Sequence, residues 1–222
     1  MINDRSFYLK FAEALSHPGD FLSNVTNFFA KDANINAVHP FNQLTGVDSY
    51  LNKFLLPLQH SFKGLYRRDD IFMFGEFEGQ NWISSTGYYV GQFVKDWIGL
   101  KATKTLCYLR YGEFHQIQDG QAVKIHIYLD IPELMIACNE WPLEIDPGHL
   151  RGYSGLIQGP ASRDGVLIDG ADPAEGQKSY QIVTEMLAKL ATKDEAWRPY
   201  WHKNMMWYGP GAFGSFIGVE EF

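Results

Sequence analysis

Residues 114–135 read FHQIQDGQAVKIHIYLDIPELM, and this stretch decides the fold. Apolar and polar residues alternate on both sides of Asp119-Gly120, a dipeptide that strongly marks a hairpin turn. The second arm ends at Asp130, followed by Ile131, Pro132 and Glu133. An aspartate with glutamate three residues later, and proline in the first turn, predicts a capped helix over residues 131–139. Upstream, residues 65–78, 81–93 and 103–118 are rich in aromatic and β-branched side chains and punctuated by glycine. With 121–130 they make an antiparallel meander.

Further out the period changes from two to three and four. Phe7, Tyr8, Phe11 and Leu15 share one helical face. Phe21, Leu22, Val25, Phe28 and Phe29 share a second, and Val47, Tyr50, Leu51, Phe54, Leu55 and Leu58 a third. Between the last two, a short extended stretch ends at His39-Pro40, because a residue before proline avoids the α region. Helices first and a meander afterwards is the α+β pattern.

Residues 146–178 break the texture with Gly148, Gly152, Gly155, Gly159, Gly165, Gly170 and Gly176, and with Pro147, Pro160 and Pro173. They read as a linker. Ile182, Val183, Met186, Leu187 and Leu190 then give one more amphipathic helix. Residues 205–222, MMWYGPGAFGSFIGVEEF, echo residues 35–50, INAVHPFNQLTGVDSY. Both run apolar strand, proline, glycine-bearing loop, then Gly-Val-acid, with two extra loop residues in the second. The expected organisation is a domain over 1–145, a linker over 146–178, and a partial second copy over 179–222. On that reading the second copy stops where its third helix begins.

The formal charge is −7, and no basic run exceeds Arg67-Arg68, so neither nucleic acid nor an anionic membrane is an expected partner. Arg67 and Arg68 beside Asp69 and Asp70 read as exposed ion pairs. Cys107 and Cys138 have no zinc or disulfide spacing, and no apolar run reaches 18 residues. With no signal-peptide pattern at the start, the chain reads as cytoplasmic.

Three segments carry a resemblance. STGYYVGQF (85–93), IGLKATK (98–104) and the opening stretch resemble, in order and spacing, the SnoaL-like polyketide cyclases of the nuclear-transport-factor-2-like superfamily. WPL (141–143) resembles the ending of two-copy members. The resemblance implies a curved antiparallel sheet wrapped round helices as a cone, with a pocket for a small apolar molecule. It also implies frequent homodimers, and neither cofactor nor metal. Where the family's catalytic aspartate falls this chain has Ile127, and where its histidine falls it has Glu113. His39 matches a polar residue before proline, and Asp130 the aspartate opening the last helix.

Two hairpin registers are open. A flush two-residue turn sets Glu113 across from His126, whereas a type I turn with a glycine bulge sets Glu113 with Ile125 and Ile127. Only the shifted register puts the family's histidine and aspartate positions on one face, so Glu113 is expected inside and His126 outside. Inside, among Tyr111, Ile125 and Ile127, desolvation would raise the Glu113 pKa towards that of a general base. His115 would be its proton partner, and His39, Trp82, Tyr89, Tyr111 and Ile127 would hold substrate. The expected function is a cofactor-independent cyclase, isomerase or lyase acting on an apolar carbonyl compound. The rival is a non-catalytic ligand-binding or dimerisation module of the same fold.

Overall fold

The computed structural model describes residues 4–15, 21–143, 162–166, 173–192 and 195–222. Two units divide the chain, residues 1–143 with 159–167 and residues 144–158 with 168–222. Most of the expected linker lies outside the described residues, as do the side chains of Phe7 and Phe21.

In the first unit, α1 (Asp4–Ala14) and α2 (Phe21–Phe28) bury Tyr8, Phe11, Val25 and Phe28 of the faces read from sequence, whereas Leu22 is exposed and Phe29 already belongs to the next strand. α2 gives way directly to β1 (Phe29–Ala37), which pairs with β2 (Gln43–Thr45). Gly46 follows at φ 79, a conformation glycine adopts without steric cost, and an added Cβ would stand 2.9 Å from the Lys31 carbonyl. The third helix is one continuous run, α3 (Val47–Tyr50), a π segment (Leu51–Leu55) and α4 (Leu56–Ser61). Its expected apolar face is buried.

β3 (Phe62–Phe77), β4 (Gln80–Phe93), β5 (Leu106–Gln118) and β6 (Gln121–Leu129) form the meander, and α5 (Ile131–Ala137) closes it. With β7 (Gly165–Val166) the sheet order is β2-β1-β6-β5-β4-β3-β7, with β1 parallel to β6 and β7 parallel to β3. β7 thus lies inside the stretch read as linker. Register shifts at three places in β3 and β5–β6 bend the sheet. Helices α1 and α2 cover its inner face, as an α+β cone requires.

The hairpin follows neither expected turn in full. Gln118 pairs with Gln121 across Asp119 and Gly120, which both have positive φ, so the turn has two residues. The shift comes three residues later, where Gln116 faces Lys124 and Ile117 faces Ala122, leaving Val123 as the extra residue. Ala122 is therefore buried, while Val123 is only partly so. Beyond the bulge Glu113 faces Ile127, and Phe114 faces His126. The inward face expected for Glu113 holds, through a bulge rather than through the turn.

The second unit contains α6 (Pro173–Leu190), which begins inside the expected linker, a 3-10 turn (Arg198–Tyr200), and an antiparallel pair, β8 (Met206–Trp207) with β9 (Phe216–Ile217).

Candidate functional site

Inside the cone, β3 presents Leu65, Arg67 and Asp69, every second residue of one strand face. A bulge between Asp69 and Ile71 then changes the parity, and Phe72 continues the inner face. Gly87 makes this possible. It pairs with Asp69, and a Cβ there would meet the Arg68 carbonyl oxygen at 1.8 Å. Arg67 is consequently buried, which corrects its reading as an exposed ion pair, while Arg68 binds Asp70 at 2.7 Å in a partly buried pair.

The Arg67 guanidinium is the hub. One amino group donates to Glu113 at 2.8 Å and to Tyr89 at 3.0 Å. The other donates to Asp69 at 3.2 Å, to Ser85 at 3.0 Å and to the Tyr8 hydroxyl. Tyr89 and Tyr8 in turn donate to the two Glu113 oxygens, at 2.9 and 3.1 Å, and Tyr111 donates to Asp69. The Arg67 guanidinium carbon also lies 4.2 Å from the centroid of the Tyr111 ring, a cation–π contact away from water. Glu113 and the Arg67 side chain have no solvent exposure.

These contacts decide protonation. Burial pushes the Glu113 carboxyl up, but the Arg67 guanidinium and the hydrogen bonds from Arg67 and Tyr89 outweigh it, and the pKa ends below its ordinary value. The expected upward shift is therefore reversed. A carboxylate in an apolar pocket would be raised, and this one faces a cation that sequence alternation alone did not bring to it. Burial raises Tyr8, Tyr50, Tyr89 and Tyr111 well above the usual phenol value.

His115 is held differently. Its ring packs among Tyr8, Phe28 and Phe29 at centroid distances of 5.0, 5.6 and 6.1 Å. Neither ring nitrogen has a hydrogen-bond partner among the described residues, and Nε2 stands 3.8 Å from Glu113. Burial pulls its pKa down to about 4, so it is neutral at neutral pH.

The structure thus brings Glu113, His115, Tyr89, Tyr111 and Ile127 together and buries all five. It separates the other two expected substrate residues. His39 is exposed at the β1–β2 turn, with a cis bond to Pro40. Trp82 lies on the opposite side of the sheet, its ring 6.4 Å from that of His126. Asp130 caps α5 by accepting from Glu133 N at 3.2 Å, and it pairs with Arg110 at 3.1 Å. Sequence reasoning missed Arg67, Asp69, Tyr8 and Ser85. The two-residue spacing of Leu65, Arg67 and Asp69 was the available signal.

The outer face carries the opposite character. Cross-strand rows run Met73–Ser84–Phe114–His126 and Ile71–Thr86–Gly112–Tyr128. Met73, Phe77, Phe114 and Tyr128 all keep substantial solvent exposure, up to 55% at Tyr128. Together with Phe74 and Trp82 they line a concavity of about 530 Å³. Among the described residues no group of three or more His, Cys, Asp or Glu side chains could hold a metal ion, and no helix is long and apolar enough to cross a membrane.

No protein-family model matches the chain, and no curated protein matches its sequence. Solved structures do match. AclR from Streptomyces galilaeus, a candidate hydroxylase, aligns with TM-score 0.54 and 15% identity over 64% of this chain and 89% of its own. A candidate SnoaL-like polyketide cyclase from Jannaschia sp. aligns with TM-score 0.53 and 14% identity, over 63% and 93%. IdmH, a candidate polyketide cyclase from Streptomyces antibioticus, gives 0.52 and 13%, over 62% and 98%. At such identities the likeness is one of fold.

Proposed function

We propose that this chain, whose fold is that of the SnoaL-like and nuclear-transport-factor-2-like proteins, is a non-catalytic association module that pairs with a second copy of itself through the outer face of its sheet. The observation that carries this reading is the set of large apolar side chains left exposed on β3, β5 and β6. Met73, Phe77, Phe114 and Tyr128 lie on that face, each between 44% and 55% exposed, and exposed apolar clusters of this kind mark interaction surfaces. The apolar residues extend past the concavity to Ile71 and Tyr66, which favours a partner of protein size over a small molecule. Stable protein interfaces bury about 800 Å² per partner with aromatic and methionine side chains at their centre, and this face has that composition.

The interior supports the same conclusion from the other side. A general base needs a pKa near the working pH and access to a substrate proton. Glu113 is withdrawn from solvent, held below its ordinary pKa, and has both oxygens occupied by Arg67, Tyr8 and Tyr89. Sedimentation of the intact protein tests the proposal. The expected result is a dimer that the paired change Phe114→Asp, Tyr128→Asp converts to a folded monomer. A wild-type protein that stays monomeric at its highest soluble concentration would overturn it.

A second reading keeps the cone as a reaction chamber. What favours it is His115, whose two ring nitrogens beside Glu113 lack hydrogen-bond partners among the described residues. Buried polar atoms of this kind call for an explanation. Turnover of an apolar carbonyl compound that disappears in a folded Glu113→Gln protein would establish this reading instead.

A further inference from the structure

Residues 8–50 and 180–222 follow one plan at a constant spacing of 172 residues, from Tyr8 to Tyr180 and from Gly46 to Gly218, without insertion. Residues 34 and 35 pair with 45 and 44, and residues 206 and 207 pair with 217 and 216. The loop hydrogen bonds repeat. Phe41 and Asn42 donate to the Val38 carbonyl, and Phe213 and Gly214 donate to that of Pro210. Gly46 donates to Ala33 at 2.8 Å, and Gly218 to Met205 at 2.7 Å. Asn42 and Gly214 share positive φ, as do Gly46 (φ 79) and Gly218 (φ 81). A Cβ on either of the latter glycines would crowd one equivalent carbonyl, that of Lys31 or Lys203. Phe29 meets Tyr50 at 4.9 Å between ring centroids, and Trp201 meets Phe222 at 5.8 Å.

This register corrects the one suggested by the prolines. Pro210 corresponds to Val38, not to Pro40, and the two extra loop residues are not needed. The equivalent of α6 is α1 rather than α2, with Tyr8, Glu13 and Leu15 matched by Tyr180, Glu185 and Leu187. The copies differ in that α2 has only the 3-10 turn at Arg198–Tyr200 among its described counterparts, and in the exposure of the leading helix. Tyr8, Phe11 and Leu15 are 0%, 1% and 2% exposed, whereas Tyr180, Val183 and Leu187 are 54%, 48% and 54% exposed.

In the first copy that helical face is covered by the meander. Tyr8 rests on Phe72 and His115, and its hydroxyl meets Arg67, Ser85 and Glu113. The inner face of that meander is thereby filled by α1. We propose that residues 173–222 open a second cone of the same build. The Tyr180–Val183–Leu187 face of α6 is then an interaction surface for a four-stranded antiparallel sheet of the same build as β3–β6.

The test uses the intact chain, with its own residues 51–143 joined after Phe222 as a stand-in sheet. Residue 223 then takes the place of Leu51, since Phe222 is the counterpart of Tyr50. Amide hydrogen exchange is read in both proteins. In the unextended chain the amides of Phe213, Gly214 and Gly218 should be protected as those of Phe41, Asn42 and Gly46 are. If they exchange freely, the repeat and the proposal both fall. In the extended chain the amides of α6 should slow by at least tenfold. The triple change Tyr180→Asp, Val183→Asp, Leu187→Asp should remove that gain while leaving α1 protected. An extension that leaves α6 exchange unchanged, whether folded or not, overturns the proposal.

Discussion

The two faces of one sheet invert the usual placement of residue types. The inner face buries an arginine, two carboxylates and a histidine, and the outer face exposes phenylalanine, tyrosine and methionine. Burying charge is costly unless every group is paired, and exposing a large apolar patch is rare without a partner. Inside, each of the Arg67 amino groups and both Glu113 oxygens have partners, whereas Arg67 Nε and the two His115 ring nitrogens have no hydrogen-bond partner among the described residues. The contrast teaches that the cone is set up to hold its charges still, and that the side open to association is the one facing away from them.

The largest effect should come from breaking the inner pairing. Arg67→Met leaves Glu113 buried without its cation, with only the Tyr8 and Tyr89 hydroxyls on it, and urea unfolding should report a loss of about 3–5 kcal/mol. Adding Glu113→Gln should restore much of it, and a double change that is merely additive would show the pair to be uncoupled.

Acid should act next through His115. Its folded pKa is about 4 against an ordinary 6.5, so between those values the unfolded chain binds a proton that the folded chain does not. Stability is full above about 6.5 and falls towards pH 4 by about 3 kcal/mol in total. The depressed Glu113 carboxyl adds further loss at lower pH, as pH falls through its folded pKa. His115→Phe should flatten the curve in the upper part of this window, and an unchanged slope would place the acid sensitivity elsewhere.

Gly87→Ala probes the bulge that turns Asp69 inward. The new methyl group must displace the Arg68 carbonyl, at a cost of about 1–3 kcal/mol in thermal unfolding. The smallest effect belongs to the outer face. Phe114→Ser should move the stability of the monomer by only about 0.5 kcal/mol while weakening self-association. A large loss of monomer stability would mean that this ring belongs to the core and that the contrast between the faces is overdrawn.

Much of this was legible from the chain itself. Helical faces such as Tyr8–Phe11–Leu15, the strand arms round Asp119-Gly120 and the Asp130 cap are fixed by neighbours within a few residues, and a linear reading reaches that far. The bulge at Val123 was not legible, because flush and shifted registers satisfy the same alternation and differ only in which partner residues meet. The partners of Glu113 were also out of reach. Arg67 and Tyr8 are 46 and 105 residues away along the chain, and only the folded sheet and the helix laid across it bring them within hydrogen-bonding distance. The sequence by itself determined the hairpin arms, the turn and the helix cap around Glu113, and left two registers for its carboxylate. The tertiary structure decided that this carboxylate would be clamped by a cation and kept below its ordinary pKa, because charge pairing depends on distance through space rather than along the chain.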